Sequence, residues 1–334
     1  LGGGDRLAGS VGSQRGDSRM ERVQQMITTV TLNVAIDKAY VVDAVEKGTV
    51  MRVLKCTNTA GGKGLNVAKV ARLCGEEVMA TGFVGGHAGA YIEEMLDAQG
   101  VPNSFVHTEC ETRSCINILA SDGSSTEFLE PGAPVAEEHV REFLELFSSL
   151  VDKSEVLTIS GSVPQGVPSD LYAKMIEMAK ERGKKILLDT SGELLRKGIE
   201  ACPTMIKPND DEIEALLGVP VSNREEIIAG ARQLHERGIP YVVVSLGADG
   251  ALVVCDEGVF HGRPPKIETV NTVGCGDSMT AAFAVSFARG YDIRQALTYA
   301  VAVSAANALT METGQFKPED MERLLPFVTV DKVG

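Results

Sequence analysis

A glycine-rich turn that leads into a helix is the strongest candidate for chemistry in this chain. The segment 270–278 reads VNTVGCGDS, and the small and apolar residues 279–288 that follow have helical character. Gly274 and Gly276 allow a tight turn and a close approach to a ligand. The first amides of a helix lack internal partners and point outward at the positive end of the helix dipole. The turn therefore predicts an anion site.

Asp277 lies at the mouth of this turn and is poorly suited to bind an anion, since both groups would be negative. A carboxylate there is well suited to take a proton from a hydroxyl group while the neighbouring amides stabilise a transferring phosphoryl group. The alternative is that Asp277 only caps the helix, because aspartate is favoured near a helix start. The motif by itself leaves both interpretations open.

A second glycine-rich segment, 60–66, reads AGGKGLN and again precedes a helical pattern. Lys63 and the backbone amides around it, including that of Gly62, could contact an anionic or hydroxylated substrate. The alternative is a glycine-rich turn with a solvated lysine. The segment matches neither the GxxxxGK[ST] phosphate loop nor the GxGxxG dinucleotide pattern.

Three further polar side chains follow or open predicted strands, where parallel sheets bind their ligands. Asp37 could accept hydrogen bonds from sugar hydroxyls, or it could form a turn. Arg113 offers a planar donor fork suited to phosphate, although an ion pair with Glu109 or Glu111 at the surface is equally compatible with the sequence. Ser160 closes another strand with a hydroxyl group.

Two more segments are candidates for nucleotide binding. In 207–212, KPNDDE, Asn209 and Glu212 are one helical turn apart, so both could face a nucleotide-bound Mg²⁺ or its waters. Asn209 could equally be the N-cap of a helix with an acidic first turn. The segment 245–250, SLGADG, could line a nucleotide or only form a hairpin turn. The candidate residues of this second segment are Ser245, Gly247 and Gly250.

From Met26 onwards, strand-like and helical patterns alternate, which predicts a mostly parallel sheet covered on both faces by helices. The predicted strands are 27–32, 78–84, 156–160, 185–189, 205–207 and 241–246. The predicted helices are 64–74, 90–99, 169–181, 191–200, one that starts at 209, and 224–237.

Three regions depart from this alternation. The stretches at about 38–57 and 115–130 have strand character without crossover helices, and they predict an antiparallel flap beside the main sheet. Residues 1–25 carry too few apolar residues to pack, so we expect a disordered tag or non-native leader. Residues 26–330 are expected to form a single domain.

Composition excludes several function classes. The chain has 334 residues with 44% hydrophobic residues and 35 glycines, as expected of an α/β enzyme. A net charge of −14 argues against nucleic acid as a partner. No apolar run approaches the ~18 residues that span a bilayer, so no membrane partner is expected. The seven cysteines lack a CxxC pair, which indicates reduced thiols and a cytoplasmic protein.

From Met26 to about Leu325 the chain resembles the phosphofructokinase-B, or ribokinase-like, family of carbohydrate kinases. Within it, the branch of 1-phosphofructokinases and tagatose-6-phosphate kinases is most similar. The resemblance rests on motifs in the family's order: TLNVAID at 31–37, RV at 52–53, AGGKGLN at 60–66, ETR at 111–113, SGSVP at 160–164, KPNDDE at 207–212, SLGADG at 245–250 and NTVGCGD at 271–277. It implies a three-layer α/β sandwich with a mostly parallel central sheet and a small β-strand lid.

The resemblance also implies roles for the candidate residues. Asp277 would be the base, and the amides of Gly274, Cys275, Gly276 and Asp277 would form the anion hole for the γ-phosphoryl group of ATP. Lys63 and Arg113 would hold the sugar's existing phosphate. The sugar itself would contact Asp37, Gly62, Lys63, Asn66 and Ser160. Asn209 and Glu212 would organise Mg²⁺, Ser245 to Gly250 would line ATP, and the lid strands would form a homodimer.

Two positions depart from the family's pattern. Val34 stands where this branch usually has proline, so the loop that carries Asp37 is expected to be less rigid. Cys275 stands where alanine or serine is usual. A thiol at a helix N-terminus is expected to have a lowered pKa and to oxidise easily, unless it is an ordinary buried thiol.

The expected reaction is transfer of the γ-phosphoryl group of ATP to a hydroxyl of a ketohexose phosphate. Residues 113–116 and 126–130 resemble the tagatose type, whereas 271–274 look more like the fructose type. Fructose 1-phosphate, tagatose 6-phosphate and fructose 6-phosphate therefore all remain open as acceptors. The alternatives are a kinase of an unphosphorylated sugar or nucleoside, and a sugar-phosphate-binding sensor of the same fold without turnover.

Overall fold

Two β-sheets organise the part of the chain that the computed structural model describes, residues 26–218 and 221–334. The predicted leader, 1–25, lies outside the described residues. The large sheet contains β1 (Met26–Thr31), β4 (Val78–Gly85), β5 (Asn103–Thr108), β8 (Ser154–Ser160), β9 (Lys185–Asp189), β10 (Met205–Ile206), β11 (Tyr241–Ser245), β12 (Ala251–Cys255), β13 (Gly258–Arg263) and β14 (Thr329–Lys332). The small sheet contains β2 (Ala35–Val42), β3 (Lys55–Gly61), β6 (Arg113–Ala120) and β7 (Ser125–Leu129).

The large sheet is mostly parallel, as the sequence predicts. Its strand order is β14-β13-β12-β11-β10-β9-β8-β1-β4-β5, and the pairs from β11 to β5 are all parallel. Only the neighbouring pairs β11–β12, β12–β13 and β13–β14, at one edge of the sheet, are antiparallel. The central strands β1, β8 and β9 are buried almost throughout, because helices cover both faces.

Helices form the outer two layers of a three-layer sandwich, and each layer shares one hydrophobic core with the sheet. One layer contains α1 (Lys63–Leu73), α2 (Gly86–Ala98), α8 (Cys275–Arg289), α9 (Ile293–Asn307) and α10 (Pro318–Leu324). The other contains α3 (Glu137–Lys153), α4 (Leu171–Glu181), α5 (Gly192–Gly198), α6 (Asp210–Leu217) and α7 (Arg224–Glu236). Among the described helices, none has the length and apolarity needed to cross a membrane.

All the predicted strands and helices are present, with bounds that shift by a few residues. The sequence prediction does not include β5, β13, β14, α3, α9 or α10. Of these, α3 has an evident apolar stripe at helical spacing, since Val140, Phe143 and Phe147 are buried and its exposed face is acidic.

The small sheet differs from the predicted antiparallel flap in its central pair. Its order is β3-β2-β6-β7, and β2 pairs with β6 in parallel, while the outer pairs are antiparallel. The physical reason lies in the large sheet, where β1 and β5 run in the same direction. Because β2 follows β1 and β6 follows β5, both strands leave the same edge of the large sheet and keep a common direction.

A substitution of Phe143 on α3 would measure how much the hydrophobic core between the α3–α7 layer and the large sheet contributes to stability. The Phe143 ring is fully buried, 5.2 Å from the ring of Phe83 and 6.2 Å from that of Phe147. Phe143→Ala should lower the free energy of unfolding by about 3–5 kcal/mol, because it removes buried apolar area and leaves a cavity. The control Phe327→Ala removes a ring that is 66% exposed and should change stability by only about 0.5 kcal/mol. Urea unfolding followed by circular dichroism measures both, and equal losses would contradict this account of the core.

Candidate active site

A cavity of about 440 Å³ lies where β1 and β8 end and the small sheet leaves the large one. This is the edge at which parallel sheets bind ligands. The cavity brings together nine residues singled out from the sequence: Asp37, Gly62, Lys63, Asn66, Arg113, Ser160, Gly274, Gly276 and Asp277. It also contains residues that the sequence interpretation did not assign to a site, namely Thr31, Asn33, Cys115, Leu129, Gly161, Ser162, Val273 and Thr313.

The turn before α8 has the geometry of an anion site. Gly274 is the N-cap and adopts φ 83°, in the left-handed region that favours glycine. A Cβ there would also lie 2.7 Å from Thr313 Cγ2, so no larger residue fits. Within the described residues, the amides of Gly274, Gly276 and Asp277 have no hydrogen-bond partner. They are free to donate to a ligand, whereas the Cys275 amide, predicted to share this role, donates to Thr272 O at 3.2 Å.

Asp277 is 5% exposed and lies in the first turn of α8. Asn66 Nδ2 donates to Asp277 Oδ2 at 2.8 Å, which joins α1 to α8 across the cavity. Burial raises the pKa of Asp277 to about 6, while the Lys63 ammonium and the Asn66 hydrogen bond act in the opposite direction. A carboxylate with this pKa is ionised at neutral pH and basic enough to accept a proton.

Two lysines share one buried carboxylate beside the turn. Lys63 Nζ donates to Asp189 Oδ1 at 2.9 Å, and Lys207 Nζ lies 3.6 Å from Asp189 Oδ2. A Cβ on Gly276 would lie 3.2 Å from Lys207 Nζ, so this ammonium is directly against the anion turn. Burial would raise the pKa of Asp189, but Lys207 and Lys63 hold it below its ordinary value. The Thr280 hydroxyl also donates to Asp189 at 3.1 Å.

Asp189, Lys207 and Thr280 are the parts of this cluster that sequence reasoning missed. A signal existed for two of them. Asp189 is the last residue of the predicted strand 185–189, and Lys207 is both the last residue of the predicted strand 205–207 and the first residue of the KPNDDE motif. The sequence does not show that Asp189 and Lys207 are in contact, because this contact requires β9 and β10 to be neighbours in the sheet.

Arg113 is fixed by backbone carbonyls and not by the acidic residues near it in sequence. Its Nε and Nη2 donate to Asn33 O at 3.3 and 2.9 Å, and its Nη1 donates to Glu130 O at 2.7 Å. Glu109 lies near His139 and Glu111 accepts from the Ala88 amide, so the predicted surface ion pair is not formed. One N–H on each terminal nitrogen of the guanidinium remains for a ligand.

Asp37 projects from β2 against the glycine-rich start of α1. Gly61 has no room for a Cβ because the Asp37 carboxylate packs on it, and the nearby Gly62 amide favours the ionised form of that carboxylate. Burial raises the pKa of Asp37, and the charges of Lys69 and Arg113 oppose this shift. Three polar atoms of cavity residues, Thr31 Oγ1, Asn66 Oδ1 and Ser160 Oγ, are buried without a partner in the described structure. Such atoms normally pair with a ligand or water.

The predicted nucleotide residues lie outside this cavity, at the next strand ends of the sheet. Asn209 Oδ1 accepts from the Glu212 amide at 2.7 Å, and Glu212 Oε2 accepts from the Asn209 amide at 3.0 Å. This capping box starts α6, so the N-cap interpretation of Asn209 holds. The 245–250 segment forms the turn of the β11–β12 hairpin, and its Ser245 amide donates to Pro208 O at 3.3 Å. The glycines of this turn, Gly247 and Gly250, both have positive φ.

The expectation that Cys275 has a lowered pKa is wrong. Burial raises the pKa of this thiol, although Asn307 Nδ2 donates to its sulfur at 3.5 Å. The carboxylate of Asp277 also disfavours a thiolate there. Desolvation outweighs the helix N-terminus, so Cys275 is an ordinary protonated thiol at neutral pH.

Comparisons with known proteins identify the family and the fold of the chain. The family model described as pfkB family carbohydrate kinase matches residues 30–320. Escherichia coli phosphofructokinase-2 is 27% identical over 91% of this chain and 98% of its own, with a TM-score of 0.85. A candidate 1-phosphofructokinase from Thermotoga maritima is 28% identical over 93% of this chain and 100% of its own, with a TM-score of 0.81.

A ribokinase from Thermotoga maritima shares the fold, with a TM-score of 0.74 at 21% identity over 90% of this chain and 99% of its own. The three-layer sandwich with its small second sheet is therefore ribokinase-like. Since the family match covers most of the described residues and includes every residue of the cavity, the chain belongs to the pfkB family of carbohydrate kinases.

Proposed function

We propose that this carbohydrate kinase transfers the γ-phosphoryl group of ATP to a hydroxyl of a phosphorylated ketohexose. The observation that supports a phosphorylated acceptor is the presence of two cationic sites in one cavity. Lys63 and Lys207 flank the anion turn through Asp189, whereas Arg113 is fixed separately at the base of the small sheet. The first site suits the transferring group, and the second suits a phosphate that the acceptor already carries.

Lys63 and Arg113 have different roles in this proposal, although the family resemblance implies that both hold the sugar's existing phosphate. The contact of Lys63 with Asp189, which it shares with Lys207, instead supports a role for Lys63 on the transferring phosphoryl group. Arg113 then holds the existing phosphate through the two N–H groups that its backbone contacts leave free.

Asp277 acts as the base in this proposal. Its carboxylate takes the proton of the acceptor hydroxyl as that oxygen attacks the γ-phosphorus, and Asn66 Nδ2 keeps the carboxylate in position. The free amides of Gly274, Gly276 and Asp277, with the two lysines, stabilise the charge on the transferring group. The catalysis is mainly positioning and electrostatics, as in other phosphoryl transfers.

The remaining polar groups of the cavity suit the hydroxyls of a sugar. The Asp37 carboxylate and Asn66 Oδ1 are acceptors, and the Ser160 hydroxyl can donate or accept. The nearby Gly62 amide favours the ionised form of Asp37. A sugar that pairs with Asn66 Oδ1 and Ser160 Oγ would satisfy buried atoms that otherwise lack partners, which favours binding.

ATP with Mg²⁺ is the proposed phosphoryl donor, with Ser245, Gly247 and Gly250 along the nucleotide. The oxygen donors of Asn209 and Glu212 fit a hard cation, and Glu212 is close enough to Lys63 to help raise its pKa. Asn209 Oδ1 is already used in the capping box, so these two residues would hold Mg²⁺ only indirectly, through water or the nucleotide. When bound, Mg²⁺ neutralises negative charge on the phosphate oxygens.

The small sheet is proposed to close over the acceptor and to form a homodimer. Its β7 strand and the 43–54 loop expose large apolar side chains, among them Val50 at 91%, Leu54 at 63% and Phe128 at 59%. A second copy of the chain would cover them and keep water from the cavity. A related phosphofructokinase-2 from Escherichia coli also has a tetrameric inhibited form, so larger assemblies are an outcome to test by light scattering.

Asp277→Asn tests the base. The variant should fold and bind ATP as the wild type does, because the amide is isosteric with the carboxylate. Its kcat should fall by at least ~10²-fold, since it cannot accept the proton. The control Asp256→Asn changes a side chain that is 95% exposed and should leave kcat unchanged. A kcat for Asp277→Asn within a few-fold of wild type would refute the mechanism.

Arg113→Ala tests the phosphorylated acceptor. Steady-state kinetics of ADP release should be measured with fructose 1-phosphate, tagatose 6-phosphate, fructose 6-phosphate and unphosphorylated fructose. For the preferred sugar phosphate, kcat/KM should fall by a factor that corresponds to roughly 1.5–3 kcal/mol, while the KM for ATP stays nearly constant. The exposed Arg196, which pairs with Glu193 on α5, provides the control Arg196→Ala.

Measurements with unphosphorylated fructose show whether Arg113→Ala removes a contact to the phosphate or disturbs the small sheet in general. If Arg113 binds the phosphate, Arg113→Ala should abolish most of the preference for the phosphorylated sugar. An equal loss on both sugars would place Arg113 in a structural role only. A wild-type preference for unphosphorylated fructose would replace the proposed substrate class altogether.

The raised pKa of Asp277 predicts the pH at which activity is lost on the acid side, or acid limb, of the pH–activity profile. Because the base works only when ionised, kcat/KM should fall as the pH drops through about 6. The substrate's phosphate ionises in the same range, so a variant is needed to assign the limb. Asn66→Ala removes a hydrogen bond that favours the carboxylate and should move the limb to higher pH. A limb that stays in place in this variant would belong to the substrate.

A further inference from the structure

Lys69 is a buried ammonium that the proposed chemistry does not use. It lies on α1, three residues after Asn66, and is 3% exposed. Within the described residues it forms no ion pair and it does not line the cavity. Burial lowers the pKa of Lys69 to about 8, and the charges of Asp37, Asp277 and Glu312 oppose that shift. Burying an amine with no paired carboxylate is costly, so its position calls for a reason.

The Lys69 ammonium joins two segments that are distant in sequence. Its Nζ donates to Ala60 O at 3.0 Å and, more weakly, to Thr313 O at 3.4 Å. Ala60 is the penultimate residue of β3, where the small sheet connects to the glycine-rich start of α1. Thr313 belongs to the loop between α9 and α10. Lys69 is therefore the link between the base of the small sheet and that loop.

The loop at Thr313 supports the reaction centre from behind. Thr313 Cγ2 packs against Gly274, the N-cap of the anion turn. Gly314 packs against Asn66 so closely that a Cβ on Gly314 would lie 2.9 Å from Asn66 Cβ. Asn66 in turn donates to the Asp277 carboxylate. A shift of this loop would therefore move both the anion turn and the hydrogen-bond partner of the base.

We infer that Lys69 is a positioning residue that keeps the base of the small sheet in register with the anion turn. The small sheet carries Asp37 and Arg113, and the turn leads to Asp277. The inference rests on the proposed function in that these groups must act on one acceptor. Errors of about 1 Å in such alignment reduce catalysis by as much as ~10²-fold.

The alternative is that Lys69 contributes only to stability, and a comparison with a second lysine helps to separate the two. Lys180 on α4 also donates to a backbone carbonyl, Ala201 O at 2.7 Å, but it is exposed and its helix belongs to the opposite helical layer. Lys180→Met therefore controls for the loss of a lysine-to-carbonyl hydrogen bond away from the site. Lys69→Met is expected to lower the thermal midpoint under either interpretation, so stability alone does not decide the question.

Kinetics provide the first decisive readout. Lys69→Met should lower kcat by roughly 10–100-fold with the KM for ATP changed by less than about 3-fold, because the nucleotide segments are not displaced. Lys180→Met should keep kcat within about 2-fold of wild type. Lys69→Arg retains a charged donor and should recover most of the lost kcat. Equal kcat values for the two methionine variants would overturn the inference.

Hydrogen exchange provides a second readout that needs no substrate. In Lys69→Met, the amides of residues 59–62 and 313–315 should exchange faster than in wild type, and in Lys180→Met they should not. If wild type phosphorylates none of the sugars tested, the proposed substrate class fails while this exchange result still decides the role of Lys69. Unchanged exchange at both segments would overturn it.

A substitution in the loop that Lys69 contacts, at Gly314, tests the same inference if Lys69→Met does not fold. Gly314→Ala leaves Lys69 intact but forces the loop away from Asn66, and its φ of +66° also disfavours alanine. Its kcat should fall as in Lys69→Met, with a similar KM for ATP. A Gly314→Ala variant with wild-type kcat would show that the loop does not position the reaction centre.

Discussion

The buried ion cluster at Asp189 is the interaction on which the site depends. The carboxylate is 2% exposed and would be strongly destabilising without the ammonium groups of Lys63 and Lys207. Its contacts hold α1, β9, the end of β10 and α8 in one arrangement, since the Thr280 hydroxyl joins as well. In a chain with a net charge of −14, this cluster concentrates positive charge next to the anion turn. In the proposed function, the two lysines held around this one acid supply the positive charge that the transferring phosphoryl group requires.

The same cluster influences the pKa of Asp277, the proposed base, and the small sheet completes the cavity around it. Lys63 favours the ionised form of Asp277, whereas burial and the nearby Asp189 disfavour it, and the outcome is a pKa of about 6. The small sheet contributes Asp37 and Arg113 to the cavity, so in the proposed function acceptor binding and water exclusion would depend on its position over the large sheet. The backbone contacts of Arg113 restrain that position on one side, and the proposed link through Lys69 does so on the other.

The sequence by itself determined the features that arise from short-range physics. Periodicity identified the parallel α/β architecture, because buried strands and amphipathic helices impose different spacings on apolar residues. Glycine placement identified both turns, since only glycine adopts the positive φ of Gly274 and Gly62 without strain. The candidate residues Asp277 and Arg113 could be named because each stands beside such a local signal. Family resemblance then ordered these pieces into a kinase.

Only the tertiary structure decided which distant groups meet and how far they are desolvated. The Asp189–Lys207 contact requires β9 and β10 to be neighbours, and the parallel pairing of β2 with β6 follows from the directions of β1 and β5. The raised pKa of the Cys275 thiol reverses the expectation from its position at a helix start, because burial outweighs the helix dipole. Contacts and desolvation depend on residues from the whole fold, whereas a sequence motif contains information only about its own few residues. For this reason the sequence could identify the candidate residues but not their partners.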